Sequence, residues 1–273
     1  MATVEIQGIS LHYETYGDPH DQPVLLLSGL AGVASSWSHQ ISRFAARYHV
    51  IVADQRGTGQ TSRTEVGHST EQLAADLAGL VEHLGVGPTH LVGASTGGAI
   101  AQYMALNHAH TVATLTLVAS FARFDAYLRR EFAARRKMAA EWDREALLSA
   151  YSLFLFSPAF ARDHPEKVSA WITRAAAQPM QARDTDIALQ RIDMIAAHDT
   201  LSRLGNIAAP TLVICGAQDF CTPPALSQEL ATGIPNAELV IPDCGHFVEH
   251  ELEDQFFALI HAFIDRSGPA PGR

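Results

Sequence analysis

Short, almost wholly apolar runs separated by amphipathic stretches dominate the first 120 residues. "PVLLLSG", starting at Pro23, and "HVIVAD", starting at His49, carry hardly any polar position. That predicts strands buried on both faces of a sheet. "HLVGA" (90–94) and "TVATLTLVAS" (111–120) read the same way, and "VEIQGISLHYETYG" predicts two short strands with a turn at Gly8. Between the runs the period becomes helical: around Trp37 to Ala46, over "LAADLAGLVEHLG", and from Gly97 to Asn107. Ser69 stands three residues before Gln72 at the head of the second helix, a capping-box start, and Gly85 ends it. Strands and helices that alternate in this way predict a parallel α/β sheet covered on both faces.

The pattern breaks at Phe121. From there to about Leu204 the pieces "RREFAARRKMAAEW", "EALLSAYSLFLF", "EKVSAWITRAAA" and "DIALQRIDMIAA" keep helical periodicity and contain no strand run. Pro158, Pro165 and Pro179 separate them, so a block of about four helices is expected. Strand runs return at "PTLVICGAQD" (210–219) and "AELVIPDCGH" (237–246), and "EDQFFALIHAFIDR" (253–266) forms a last helix. No linker is long or polar enough to separate independent units. The expected organisation is one domain over residues 1–273, with a core at 1–120 and 205–273 and a helical insertion at 121–204.

Composition narrows the partners. The chain has 273 residues, 47% of them hydrophobic, enough for one large core. Against 19 Lys and Arg stand 29 Asp and Glu, a net charge of −10, which argues against nucleic acid or an anionic membrane as partner. The basic cluster "RREFAARRK" (129–137) reads as a solvated helix face. There are three cysteines in no framework spacing, no leader pattern at the start, and no apolar run near the ~20 residues that span a bilayer. The expectation is a protein of the reducing cytoplasm. The tail "RSGPAPGR" is the one segment whose Gly and Pro content suggests disorder.

Gly93-Ala94-Ser95-Thr96-Gly97 lies between a strand and a helix. A turn this tight has no room for side chains at its two glycines. It lifts the Ser95 hydroxyl above the sheet, with a helix N-terminus behind it that favours negative charge on a bound oxygen. A serine hydroxyl needs a base, and the base needs an orienting acid. Asp219 and His246 follow in the required order, each just past a strand, at the sheet edge where open α/β sheets build their sites. The tetrahedral oxygen needs two donors, expected from the backbone N–H of Thr96 and of Leu30 in the loop Ser28-Gly29-Leu30-Ala31-Gly32, with Ser28 steadying that loop.

With these residues placed, the chain resembles the α/β-hydrolase fold family over nearly its whole length. The supporting segments are "SGLAGVASSW" (28–37), "DQRGTGQTS" (54–62), "PTLVICGAQDFCTP" (210–223) and "CGHFVEHE" (244–251). Within that family it looks most like bacterial aminoacrylate or carbamate hydrolases and 3-oxoadipate enol-lactonases. It departs from many relatives in carrying Ser28-Gly29 for His-Gly, and Glu253 for a proline. The resemblance implies a cofactor-free serine hydrolase acting on a small-molecule ester, lactone or activated amide, with no metal and with a homodimer left open. It leaves room for a C–C bond hydrolase or lyase on the same triad, a perhydrolase, or a signal-binding protein of the same fold.

Among the remaining residues, Trp142, Tyr151, Phe154, Phe156 and Trp171 are candidates to line a pocket under the helical block. Arg123 is a candidate to meet a substrate carboxylate. Asp54 and Arg56 read as a structural pair bracing a turn. Cys221 and Cys244 read as packing residues rather than a disulfide. His164, His198 and His250 have no ligand spacing.

Overall fold

The computed structural model describes residues 2–64, 67–178, 181 and 183–267. Pro179 and the tail from residue 268 lie outside them. Eight strands form one sheet: β1 (Ala2–Ile6), β2 (Ile9–Tyr16), β3 (Pro23–Leu27), β4 (His49–Ala53), β5 (Thr89–Ala94), β6 (Val112–Val118), β7 (Thr211–Ile214) and β8 (Glu238–Val240). Their order is β1-β2-β4-β3-β5-β6-β7-β8. The first two pairings, β1 with β2 and β2 with β4, are antiparallel, and the other five are parallel.

The apolar runs are continuous because each parallel strand is covered twice. In β3, Leu25 and Leu27 join a core with Ile51, Leu91, Leu115 and helices α2 (Thr70–Leu84) and α3 (Thr96–Asn107). Val24 and Leu26, one residue out of phase, join the opposite core. That core holds Val50, Val92, Ile214, Phe44 of α1 (Ser38–Ala45), and Phe256, Ile260 and Phe263 of the last helix.

Ser69 caps α2, its Oγ accepting from the Gln72 N–H at 3.0 Å. The reciprocal half of the capping box is missing, because the Gln72 amide donates instead to Asp76 Oδ1 at 3.1 Å. Gly85 ends the helix in the left-handed conformation, φ 64°.

Among the described residues, five helices rather than about four lie between β6 and β7: α4 (Ala126–Glu141), α5 (Arg144–Leu155), α6 (Pro158–Asp163), α7 (Pro165–Ala176) and α8 (Asp184–Ala196). Pro158 and Pro165 open helices at the first turn, where a missing N–H costs nothing. The block leaves and rejoins the core at one place. Thr200 N–H donates to Ala122 O at 2.8 Å, and Arg123 bridges Asp199. Two further helices, α9 (Pro224–Gly233) and the single turn α10 (Val248–Glu251), add to those expected, α9 burying Leu226 and Leu230 one turn apart; α11 (Glu253–Ser267) closes the chain. Among the described residues no helix is long and apolar enough to cross a membrane.

Candidate active site

Ser95, Asp219 and His246 each follow the carboxyl end of a parallel strand: β5, β7 and β8 respectively. Ser95 is the N-cap of α3 and has φ 54°, ψ −119°, a conformation that costs an L-residue about 1–3 kcal/mol. The surroundings impose it. Ser95 N–H donates to Val118 O at 2.8 Å, and Ser95 O accepts from Ser120 Oγ at 2.9 Å and Gly98 N–H at 2.9 Å. A Cβ on Gly93 would lie 2.5 Å from Gly97 O, and one on Gly97 would lie 2.2 Å from Leu27 O. The elbow therefore closes only with glycine at both positions. Ser95 is half-buried, and its Oγ has no hydrogen-bond partner among the described residues.

His246 Nδ1 donates to Asp219 Oδ2 at 2.9 Å, with both side chains buried. Asp219 Oδ1 accepts from the N–H groups of Cys221 and Thr222, each at 2.8 Å. Those bonds fix the carboxylate plane and leave Oδ2 for the imidazole. Burial would push the His246 imidazole down, but the Asp219 charge and hydrogen bond outweigh it, and the net direction is above the usual 6.5. Glu249, buried in α10 three residues after His246, is pushed up to about 7 by burial.

Two residues of this framework were given no role in the sequence reading. Ala119 is buried with φ 47°, accepts from Thr222 Oγ at 2.8 Å through its carbonyl, and donates to Ile214 O at 2.7 Å. The end of β6 thus holds the Ser95 backbone through Val118 and the Asp219 turn through Thr222. Glu251 does the same for His246. Its Oε1 takes the Gly245 N–H at 3.1 Å and the Ser157 N–H at 2.6 Å, while Oε2 takes Ser157 Oγ at 2.7 Å. The Phe247 N–H meets Leu155 O at 2.9 Å. Gly245 is required for this close approach and not by its own backbone, since an added Cβ would lie 2.5 Å from Ser157 N.

The loop after β3 lies beside Ser95, with a Cβ on Gly29 reaching 3.5 Å from Ser95 Cβ. Neither Leu30 N–H nor Thr96 N–H finds an acceptor among the described residues. Ser28 Oγ donates to Val33 O at 2.7 Å, which steadies the loop. A second support comes from the helical block. Arg191 of α8 donates from Nε to Leu30 O at 2.7 Å and from Nη2 to Gln55 Oε1 at 2.5 Å, and Gln55 Nε2 donates to Ser28 O at 2.8 Å. Arg191 pairs with no carboxylate among the described residues, and burial pushes it down to about 10. Its sequence signal was a charge at the i+4 position of the buried stripe begun by Ile187.

Asp54 and Arg56 are both structural, yet they do not pair with each other. Arg56 grips Asp76 with two bonds of 2.8 and 2.7 Å, whereas Asp54 accepts from His12 Nδ1 at 2.9 Å and Ala34 N–H at 2.8 Å. Cys215, Cys221 and Cys244 are free and buried.

The remaining candidates scatter. Trp142 is 49% exposed just past α4. Arg123 is engaged at the surface with Glu229 at 2.9 Å. Phe154 packs on the main core, and Trp171 meets Phe156 and Phe247 edge-on at 5.8 and 5.6 Å. Tyr151 lies under the guanidinium of Arg135. The basic cluster is not one solvated face: Arg129 and Arg130 are exposed, but Glu131 and Arg135 are buried on the Leu128–Phe132 stripe of α4.

Residues 22–251 match the family model described as the alpha/beta hydrolase fold. The chain belongs to the α/β-hydrolase fold family. It is 34% identical over 235 residues to a protein of Azorhizobium caulinodans named for a carbamate hydrolase, RutD, covering 86% of this chain and 87% of that one. The enol-lactonase of Burkholderia xenovorans LB400 superposes with a TM-score of 0.84 at 25% identity, covering 96% of this chain and 99% of that one. An α/β-hydrolase from a Medee basin deep-sea metagenome library superposes with a TM-score of 0.90 over the whole of both chains, which at 24% identity speaks for the fold. These findings agree with the resemblance read from the sequence.

Proposed function

We propose that the protein is a cofactor-independent serine hydrolase that cleaves a small ester, lactone or activated amide or carbamate through an acyl-enzyme. The observations that carry this reading are the buried Asp219–His246 bond of 2.9 Å and a strained, half-buried Ser95 at the N-terminus of α3, all at the carboxyl ends of parallel strands of one sheet. His246 Nε2 takes the proton of Ser95 Oγ as the oxygen attacks the carbonyl carbon. The oxyanion rests on the Leu30 and Thr96 N–H groups, aided by the dipole of α3. The intermediate expels its leaving group with the proton held by His246. Water, deprotonated by the same imidazole, then releases the acid. Asp219 keeps the proton on Nδ1 and stabilises the imidazolium. The carbamate-hydrolase and lactonase names among its relatives support acyl chemistry on small substrates.

A fluorophosphonate is expected to add one label to the intact protein, localised to Ser95. A p-nitrophenyl ester is expected to give a stopped-flow burst of one equivalent. An unlabelled Ser95 with no turnover would defeat the reading.

The base must be neutral to act, and Asp219 holds the His246 imidazole above its ordinary 6.5. kcat/KM toward a neutral ester should therefore rise with pH through an inflection above 6.5. Below it the rate should fall about tenfold per pH unit. Glu249 in α10, pushed up to about 7 by burial, and the Glu131–Arg135 pair, whose charges reach the imidazole, will shape the midpoint. Asp219→Asn should lower both the rate and the inflection. A profile flat from pH 5 to 9 would exclude His246 as the base.

A further inference from the structure

Arg191 places a full charge where the packing of its helix does not call for one. Ile192, Met194 and Ile195 of α8 join the main core, so apolar contacts already dock the helix. Arg191 is 2% exposed, pairs with no carboxylate among the described residues, and keeps Nη1 buried with no hydrogen-bond partner. A cation held in this way is costly, and an aliphatic side chain would bury there without the penalty. What the guanidinium gains instead is two bonds that support the loop after β3, one made directly and one through Gln55.

Those bonds bracket a single peptide. The Leu30 N–H, proposed above as an oxyanion donor, shares its peptide plane with Gly29 O. The carbonyls on either side of that plane depend on the same guanidinium. Leu30 O takes Arg191 Nε at 2.7 Å. Ser28 O takes Gln55 Nε2 at 2.8 Å, and Gln55 Oε1 in turn takes Arg191 Nη2 at 2.5 Å. Gly29 O accepts the Gly32 N–H at 3.0 Å, and Gly32 O accepts the Gln55 N–H at 2.7 Å. Gly32 packs against the arginine so closely that an added Cβ would lie 2.7 Å from Nη2 and 2.9 Å from Cζ. A loop with glycine at 29 and 32 has little stiffness of its own. The rigid fork of an arginine, with Nε and Nη2 fixed on one edge, supplies it.

We infer that Arg191 is a positioning residue for the reaction: it sets the direction of the Leu30 N–H, so that the helical block completes an oxyanion hole that the sheet core leaves unfinished. The inference rests on the serine-hydrolase reading and gives the inserted helices a part in it other than contact with substrate.

Benzyl trifluoromethyl ketone tests it. Ser95 Oγ adds to the ketone carbon, its proton passes to His246 Nε2, and the oxyanion so formed must rest on the donors used in ester cleavage. Arg191→Met should lower kcat for p-nitrophenyl acetate and weaken inhibition by the ketone in parallel, each by about 30-fold or more, while KM moves less than about threefold. Gln55→Met breaks the same bridge from the core side and should show the same parallel loss at about tenfold. It carries the test if Arg191→Met fails to fold. Combined with Arg191→Met it should cost little more than Arg191→Met alone, because the bridge is already gone. Arg191→Lys keeps the charge without the fork and should stay at least about fivefold below the parent.

Parental kcat in the folded variants, lost turnover without a matching loss of ketone affinity, full recovery with lysine, or additive losses in the double variant would overturn the inference. A wild-type protein that binds no trifluoromethyl ketone and takes no fluorophosphonate would remove the serine-hydrolase reading and this inference with it. That failure shows in the parent, whereas failure of the positioning role alone shows only in the variants.

Discussion

Ser95→Ala is expected to lower kcat/KM toward a p-nitrophenyl ester by about four to six orders of magnitude while the protein melts as before. The size follows from what is lost. Without Oγ there is no nucleophile for His246 to deprotonate, so the two-step route through an acyl-enzyme is closed. The Leu30 and Thr96 N–H groups remain, and as oxyanion donors they alone would give a small residual acceleration of direct water attack. Stability should hold within about 0.5 kcal/mol, because Ser95 Oγ makes no hydrogen bond that the variant would break. Alanine is strained to the same degree as serine at φ 54°. Retention of most of the esterase rate by a folded Ser95→Ala would show that the elbow serine is not the nucleophile.

The sheet was legible because its signal is local and doubled. A strand covered on both faces must be apolar at every position, and Val24 to Leu27 or Val50 to Ala53 cannot be mistaken for an amphipathic helix. The placement of Ser95, Asp219 and His246 just past strand ends was legible for a related reason, since each sits in a short segment whose turn constrains its own neighbours. What escaped notice depends on partners far along the chain. Arg191 reaches Leu30 across 161 positions, and Arg135 reaches Cys221 across 86. Nothing near either arginine says that its helix face is turned inward, except that the charge falls on the apolar stripe. That conflict between residue type and helical phase is the signal a sequence reader should weigh, and it separates Arg135 from Arg129 and Arg130. Asp54 and Arg56 illustrate the same limit. Their structural role was readable from a crowded turn, but Asp76 and His12 as their partners were not.

Gly97→Ala should cost more than about 4 kcal/mol and lower the melting midpoint by roughly 10 °C. The added Cβ would stand 2.2 Å from Leu27 O, 2.7 Å from Leu27 C and 2.8 Å from Ser28 O. These are backbone atoms and cannot rotate away. Leu27 is also held in register against Gly93, and Ser28 O accepts from Gln55 Nε2 at 2.8 Å. Relief must come from moving α3 or moving the loop after β3. The first displaces Ser95 and the Thr96 N–H; the second displaces the Leu30 N–H. Either way Ser95 and the two N–H groups proposed as oxyanion donors lose their common geometry, so any protein that still folds should also lose activity by a hundredfold or more. Gly205→Ala is the matched control, because a Cβ there meets nothing within 4 Å, and it should melt within about 0.5 kcal/mol of the parent. Equal melting and equal turnover for Gly97→Ala and Gly205→Ala would mean that the tight approach of α3 to β3 is not what positions Ser95.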